Sequence, residues 1–394
     1  MEEFVNDGSP SGFSAVNKPS PRYRPGSGAG PFLLHACVAE PPAATRDYFH
    51  LPTLPGPTGS NWLYIHPDVS HHPDLTQSGL RLLALDVPEV QPTASGRTVQ
   101  LLGDGPGWYL KLSYPTLLGR VNRAMPRIKA IAGPEISAEI ATRLAASHLP
   151  GPLHILEEVG ARVITMGGGR SWGQVVRAPH PYGRNTGSMH ALVPLFSIFS
   201  HDAGNPLDPP LLADLLEVWG DSRTERLVRN LLEPIIECYF GLVRNLGLAL
   251  ELNAQNVLVG LNANGVPVGL VFRDLMGTEK DLTLRRELGL GTEFESSPYK
   301  CIDREDDADT YIRRHSVAYD FKVGEYVLRP LVRAAAQHGC WAESELTAHI
   351  RAVARAELES LPSDYLPSTH WFRHPRTVNG HEDCFIQEDG PRFR

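Results

Sequence analysis

The chain of 394 residues is short of several things, and each shortage narrows what it can do. Cysteine is scarce. Cys37, Cys238, Cys301, Cys340 and Cys384 are five in number, scattered, and form no Cys-x-x-Cys pair. That argues against a disulfide framework and against a zinc or iron–sulfur centre, and it fits reduced thiols in a cytoplasm. Basic charge is in deficit: a formal net charge of −8 and a pI near 6.1 speak against a non-specific nucleic-acid binder, which carries a basic field. No apolar run has the length that spans a bilayer. The start, Met1-Glu-Glu-Phe-Val-Asn-Asp, lacks the basic region and apolar stretch of a signal peptide. Gly-x-Ser-x-Gly is missing, so a serine hydrolase finds no support. Gly167-Gly-Gly-Arg170 lacks the Gly-Lys-Ser/Thr that completes a P-loop. The pairs His71-His72 and His370/His374 lack a third ligand and read as packing or solvated residues. Lysine is rare beside arginine, which makes Lys111 conspicuous.

What remains is ordinary globular material, 42% hydrophobic and 21% charged, with more than one domain's worth of length. Residues 1–60 read as an irregular tail: Gly, Ser and Pro dominate to about residue 30, and Leu51 to Ser60 is a Pro/Gly loop. Ordered structure is expected from Trp62-Leu-Tyr-Ile-His66. Residues 61–200 read as a β-rich region, with strands at Leu80–Leu85, Arg97–Leu102 and Trp108–Ser113, helices over 117–131 and 135–148, and a strand pair at Leu153–Val159 and Ala161–Met166. Residues 201–394 read as mainly helical, with a long amphipathic run from Ser222 to Leu246 and helices near 308–320, 324–338 and 343–360. The acidic run Asp303 to Asp309 suits a solvated helix start. The fold class is therefore α+β, a β-rich first half and a helical second half around one central hairpin over 248–275.

That hairpin is the most informative stretch. Leu248-Ala-Leu-Glu-Leu-Asn-Ala-Gln-Asn-Val-Leu-Val-Gly260 is followed by Gly269-Leu-Val-Phe-Arg-Asp-Leu275, with Leu261-Asn-Ala-Asn-Gly265 between them. Asn-Gly supplies the positive φ that a tight hairpin turn needs. Folding it brings Glu251, Gln255 and Asn256 toward Asp274. Oxygen ligands converging on one point suit Mg²⁺, with Glu251 and Asp274 as carboxylate ligands and Asn256 as a carbonyl ligand. The same residues also fit a polar hairpin with a solvated turn. Protein-kinase-type phosphotransferases use a related Asn and Asp but place a catalytic Asp before the Asn. Here Asn253 and Gln255 hold that region, and neither acts as a base, which disfavours simple phosphoryl transfer. Ser95-Gly-Arg97-Thr98, with Lys111 on the next strand, is suited to surround a phosphate tail, Lys as a point charge and Arg as a fork. Arg123, twelve residues beyond Lys111 on an expected helix, offers a second cation to the same anion.

In order and spacing these segments resemble the NRPS-independent siderophore synthetases, the aerobactin-synthetase family. The family pattern Ser-x-Arg-Thr, Lys-Leu-Ser-Leu with a later Arg, Glu-x-His-x-Gln-Asn and Arg-Asp is matched by Ser95-Gly-Arg97-Thr98, Lys111-Leu-Ser-Tyr114 with Arg123, Glu251-Leu-Asn253-Ala-Gln255-Asn256 and Arg273-Asp274. The likeness runs from about His66 to about Arg376. It implies a cupped-hand fold, β-rich fingers over a helical palm whose hairpin is distantly kinase-like. It further implies an ATP- and Mg²⁺-dependent enzyme that adenylates a carboxylate and passes it to an amine or hydroxyl. By carry-over, Ser95, Arg97, Thr98, Lys111, Arg123 and Arg273 hold nucleotide and acyl-phosphate oxygens. Glu251, Asn256 and Asp274 hold Mg²⁺, and Gln255 and Asn253 face the carboxylate beside Lys111 and Arg123 as catalytic groups. The chain departs from the family in four places. A His-Pro-x-His-Pro motif is not matched, Gly119 stands where the family has Thr, Asn253 where it has His, and His370 where a Lys is expected. These departures keep two alternatives open: a non-catalytic homologue that binds nucleotide or carboxylate or partners a full-length synthetase, and a kinase-like phosphotransferase. The expected partners are small carboxylate and amine or hydroxyl substrates, with a homodimer or a partner synthetase, and neither nucleic acid nor membrane.

Overall fold

The computed structural model describes residues 20–23, 30–41, 43–73, 75, 80–93, 96–118, 121–201, 205, 207–374 and 385–394. Its first layer is an eight-stranded sheet, antiparallel throughout. Neighbour to neighbour it runs Ala44–Phe49, Glu158–Thr165, Ser171–Arg177, Tyr109–Leu112, Thr98–Leu101, Leu80–Pro92, Phe32–Ala39 and Trp62–Ile65. Among the described residues the first strand therefore begins thirty residues earlier than Trp62. Phe32–Ala39, with Leu34, Ala36 and Cys37 fully buried, is an inner strand of the sheet rather than part of a tail. An apolar strand between two partners reads weakly from sequence when Gly- and Pro-rich segments flank it on both sides.

One helix, Arg127–Ala145, packs on this sheet and replaces the two expected over 117–131 and 135–148. The region before it is a β-hairpin, Tyr114–Leu118 with Val121–Arg123, so Arg123 ends a strand and does not lie on a helix. Pro126 accounts for much of the difference: it disfavours the helical conformation at Met125 before it, and it is the N-cap from which the helix starts. The helix then runs through Pro134 without breaking.

The central hairpin forms as its sequence requires. Val257–Leu261 pairs with Pro267–Phe272, Gly265 takes φ +67°, and the Asn262 side chain accepts hydrogen bonds from the amides of Asn264 and Val266 at 2.9 and 3.0 Å. It sits at the centre of a four-stranded sheet whose outer members are Ala191–Pro194 and Leu153–Ile155, the latter parallel. The expected pairing of the 153–159 and 161–166 segments is thus not made: Leu153–Ile155 joins the hairpin, and Glu158–Thr165 joins the large sheet. The sheet around the hairpin draws strands from both sides of residue 200, so the expected boundary there does not separate two sheets.

Behind the hairpin, the helical run Arg223–Leu227, Val228–Leu232 and Glu233–Leu246 is continuous and ends at Gly247 in the left-handed region. Its buried face, including Leu231, Ile235, Tyr239, Phe240 and Leu242, joins the largest apolar cluster of the protein. The run Ala308–Ser316, Val317–Leu328 and Arg329–Gln337 packs against that cluster, as does Glu343–Leu358. Beyond the last helix, the C-terminal segment contains the hairpin His370–Arg373 with Ile386–Asp389. The whole is α+β, as its patterning indicates. Among the described residues no helix is long and apolar enough to cross a membrane.

Candidate active site

The open end of the central hairpin meets the ends of two strands of the large sheet. Lys111 lies on Tyr109–Leu112, opposite Thr98 on one side and Val175 on the other. It is almost fully buried, and its Nζ is 3.0 Å from Asp274 Oδ1 and 3.5 Å from Met276 Sδ. Asp274 follows the second hairpin strand in a left-handed turn, φ 62° and ψ 49°, a conformation that Asp tolerates better than most residues. The same Oδ1 also accepts from Arg177 Nη2. Burial pulls the Asp274 carboxyl upward, but Lys111, Arg177 and Arg273 outweigh it and hold it well below the usual carboxylate range. Burial has the larger say on Lys111 and lowers its ammonium despite Asp274 and Glu158.

Glu251 belongs to the loop that leads into the hairpin. Its Oε1 accepts from Lys322 Nζ at 2.7 Å. Burial raises its carboxyl, yet Lys322 and Lys300 prevail and hold it at about 2, with Asp274 close enough to oppose them. A Cβ at Gly277 would overlap the Glu251 carboxylate, so this position keeps open the space that the carboxylate fills. Asn253, Gln255 and Asn256 form the turn of the loop, with the Asn256 amide donating to the Asn253 carbonyl at 2.7 Å. Arg273 clamps the base of the hairpin. Its amide donates to the Asn256 carbonyl at 3.0 Å, and its Nη2 and Nε donate to the Gln255 carbonyl at 2.9 and 3.2 Å.

Arg97 is buried at the start of the strand Thr98–Leu101, and its Nη1 donates to the Arg123 carbonyl at 2.5 Å. Burial and the nearby Arg123 lower the Arg97 guanidinium to about 10, against the pull of Asp274 and Glu158. Thr98 is buried beside Lys111, and its carbonyl accepts from Thr93 Oγ1 at 2.6 Å. Ser95, and Gly119 likewise, fall outside the described residues.

Several charged residues at this place escaped the sequence reading. Arg177 and its buried partner Glu158, 3.0 Å apart, stand behind Asp274. Lys300 donates to Glu279 at 2.8 Å and bears on Glu251. Half-buried Lys129 has its ammonium lowered by burial and then by Arg97, Arg123 and Lys300. Of the six lysines in the chain, three, Lys111, Lys300 and Lys322, lie around these two carboxylates, and Lys129 lies beside Lys300. The rarity of lysine was the one signal in the sequence that pointed to them. His370 is elsewhere, packed on Phe372 in the C-terminal hairpin, and it is Lys322 that brings an ammonium to Glu251.

The donor set can be tested against Mg²⁺. Glu251, Asp274 and Asn256 offer hard oxygen donors from one short stretch, and both carboxylates are held ionised, so the residues present fit the ion. Two carboxylates fall short of an all-protein cage, and among the described residues no group of three His, Cys, Asp or Glu side chains forms one. Mg²⁺ is ordinarily completed by substrate phosphates and water in this situation. The cations on the sheet side supply the complementary requirement of a phosphate chain.

The fold matches that of known siderophore synthetases. The ATP-bound aerobactin synthetase IucA from a hypervirulent pathotype of Klebsiella pneumoniae superposes with a TM-score of 0.68 at 16% identity, over 94% of this chain and 74% of that one. The petrobactin biosynthesis protein AsbB from Bacillus anthracis str. Sterne gives a TM-score of 0.69 at 15% identity, over 99% and 75%. Aerobactin synthetase IucC from the same Klebsiella pathotype gives 0.62 at 16% identity, over 87% and 65%. The model of the ferric iron reductase FhuF-like transporter family matches residues 224–386. No curated protein sequence gives a significant match. The resemblance read from the motifs is therefore present in the fold, at identities that speak for the fold alone.

Proposed function

We propose that this protein is an ATP- and Mg²⁺-dependent synthetase that adenylates a carboxylate and condenses it with an amine or hydroxyl in siderophore or related specialised-metabolite biosynthesis. The observation that carries the reading is the opposition of two charge sets across one site. Arg97, Arg123 and Lys129 gather on the side toward the large sheet, and Glu251 and Asp274 on the side toward the hairpin. A magnesium–triphosphate complex is the ligand that answers both. The fold shared with an ATP-bound synthetase supports the same reading.

In this scheme Glu251, Asn256 and Asp274 hold the metal, which would draw charge from the phosphate oxygens. Arg97, Arg123 and Lys129, with Thr98 and Ser95, hold the phosphate chain. Lys111, buried and aimed at Asp274, places its charge where negative charge gathers as the substrate carboxylate oxygen attacks the α-phosphorus and pyrophosphate leaves. Gln255 and Asn253 face the acid, and Arg273 keeps their loop in register with the hairpin. Then the amine or hydroxyl displaces AMP from the acyl-adenylate. Asn253 and Gln255, where a kinase-like enzyme would place its catalytic Asp, cannot act as bases, and Glu251 is committed to the metal in this scheme, which favours adenylation over a kinase-like reaction. A reductase reading, which the FhuF-like match brings up, needs grouped thiolates. Cys238, Cys301, Cys340 and Cys384 are scattered through the matched segment, and burial pushes the Cys238 thiol up, away from the thiolate form.

The test is a product assay. Purified protein is incubated with Mg·ATP, hydroxylamine and a panel of acids that includes citrate, succinate and 2-oxoglutarate. Acid-dependent AMP, pyrophosphate and hydroxamate are the expected products. ADP in their place would assign a phosphotransferase. ATP binding without turnover for any acid would assign a binding homologue.

A further inference from the structure

We propose that Arg177 is a positioning residue that stands in for the metal: in the metal-free protein it holds Asp274, and when a divalent cation arrives it withdraws onto Glu158. This rests on the reading of Glu251, Asn256 and Asp274 as the metal site.

The strand register sets up the device. Glu158 opens one strand and Arg177 closes its antiparallel neighbour, and the two are Cα partners. Exposure rises outward along the line: the Glu158 side chain is 1% exposed, Arg177 6% and Asp274 32%. Arg177 thus lies between a carboxylate sealed in the interior and one that faces the site. Its Nη2 serves both, at 3.0 Å to Glu158 Oε1 and in a close contact to Asp274 Oδ1. Lys111 sits on that same Asp274 oxygen at 3.0 Å. One carboxylate oxygen therefore carries two cations, a surplus that a divalent ion on Asp274 would make repulsive.

The structure also contains the place to which Arg177 can retire. Glu158 Oε2 and Arg177 Nε are both buried and both lack a hydrogen-bond partner. A lone nitrogen–oxygen contact leaves these two atoms orphaned. A side-on fork, Nε and Nη2 to the two carboxylate oxygens, would satisfy both at once, and it is the stronger geometry for an arginine–carboxylate pair. Space for the Glu158 carboxylate comes from Gly133 in the helix Arg127–Ala145, where a Cβ would overlap Oε2. Glu158 plays no other part in the proposed chemistry. As a permanently buried counter-charge it lets Arg177 remain an ion in either position, where a lone guanidinium would face a large desolvation cost.

The experiment is Mn²⁺ binding followed by electron paramagnetic resonance, on the full chain, with and without ATP. Arg177→Met combined with Glu158→Gln removes the competitor and its counter-charge together and keeps the interior neutral. Freed of competition, this double variant should bind Mn²⁺ without ATP about tenfold more tightly than the parent, because the metal-competent state of Asp274 no longer has to be released from Arg177. Glu158→Gln alone should bind Mn²⁺ several-fold more weakly, since Arg177 is then left with Asp274 as its one anion. A purely structural role for Arg177 predicts no gain in affinity. Unchanged or weaker binding by the folded double variant overturns the proposal. Should that variant fail to fold, Glu158→Gln decides: weaker binding supports the exchange, and unchanged binding refutes it. If ATP supports Mn²⁺ binding in the parent but the variants do not shift it, only the exchange is wrong. If ATP supports no Mn²⁺ binding in the parent, the metal-site reading falls and the exchange with it.

Discussion

The two sides of the candidate site balance their charges in opposite ways. On the side toward the hairpin every carboxylate is already answered: Asp274 by Lys111 and Arg177, Glu251 by Lys322. Toward the large sheet, burial lowers the Lys129 ammonium and Arg97, Arg123 and Lys300 lower it further, so like charges stand together there. A folded protein does not gather cations without a reason, because each buried charge lacking a counter-ion costs stability. The first side is a set of internal ion pairs that can be exchanged for a metal. The second is a group of cations, Arg97, Arg123 and Lys129, that suits an anion. The difference tells which part of a ligand goes where: phosphate oxygens toward the sheet, and the cation they share toward the hairpin.

Breaking the comparison at its junction should have the largest effect. Lys111→Ala and Asp274→Ala each remove a group that both sides share, and acid-dependent AMP formation should fall by at least about a hundredfold, the usual scale for losing a preorganised charge at a reacting centre. Circular dichroism and thermal melts should show both variants folded, and turnover retained in both would mean that the chemistry lies elsewhere. A smaller effect is expected from the sheet side alone. Lys129→Ala should weaken ATP about tenfold, on the order of one charge-assisted hydrogen bond, and the loss should shrink as salt is raised. It should also raise the thermal midpoint of the ligand-free protein, because a repelled cation is removed. A lowered midpoint would show that Lys129 has a counter-ion after all.

The hairpin side is sharpened by acid. Glu251 is held at about 2 in the folded protein, below the value of about 4.3 for a free glutamate, so it binds fewer protons folded than unfolded between those limits. Its contribution to stability is complete above about pH 4.3 and is lost as pH falls through about 2. The difference in unfolding midpoint between the parent and Glu251→Gln should therefore narrow steadily on acidification, and a gap that does not depend on pH would contradict the pairing with Lys322 and Lys300. The smallest effect is expected at the far end of the same hairpin. Gly265→Ala places a side chain at φ +67° and should cost about 1 kcal/mol of stability, with ATP affinity unchanged. A change in affinity would show that the turn is coupled to the site.

What could be read in the chain beforehand follows from how local each feature is. Asn264-Gly265 and the flanking apolar runs specify the hairpin within about twenty residues, and the turn, the pairing and the approach of Arg273 to Asn256 are as their chemistry requires. The 3.6-residue spacing from Ser222 to Leu246 likewise shows the helix behind it. Lys111 and Asp274 could be picked out because one lies within and the other just after an expected strand, and the structure brings them together although 163 positions separate them. Arg177 and Glu158 could not. Each looks like the polar end of an apolar strand, and only the register of the large sheet makes them partners. Lys322 and Lys300 reach the site from a helix and from a left-handed turn whose placement depends on tertiary packing. The helix expected over 117–131 gave way to a hairpin over its first half, and Pro126, which holds Met125 out of the helical region, sets the start of the helix beyond it.

The most direct test of the account is calorimetric titration of ATP, with and without Mg²⁺, into the parent and Asp274→Ala. If the sheet side holds phosphate and the hairpin side holds the cation, ATP alone should bind both proteins, and Mg²⁺ should tighten binding in the parent but not in Asp274→Ala. Failure of ATP to bind the parent, or a Mg²⁺ effect that survives the loss of Asp274, would contradict the division of the site into these two sides.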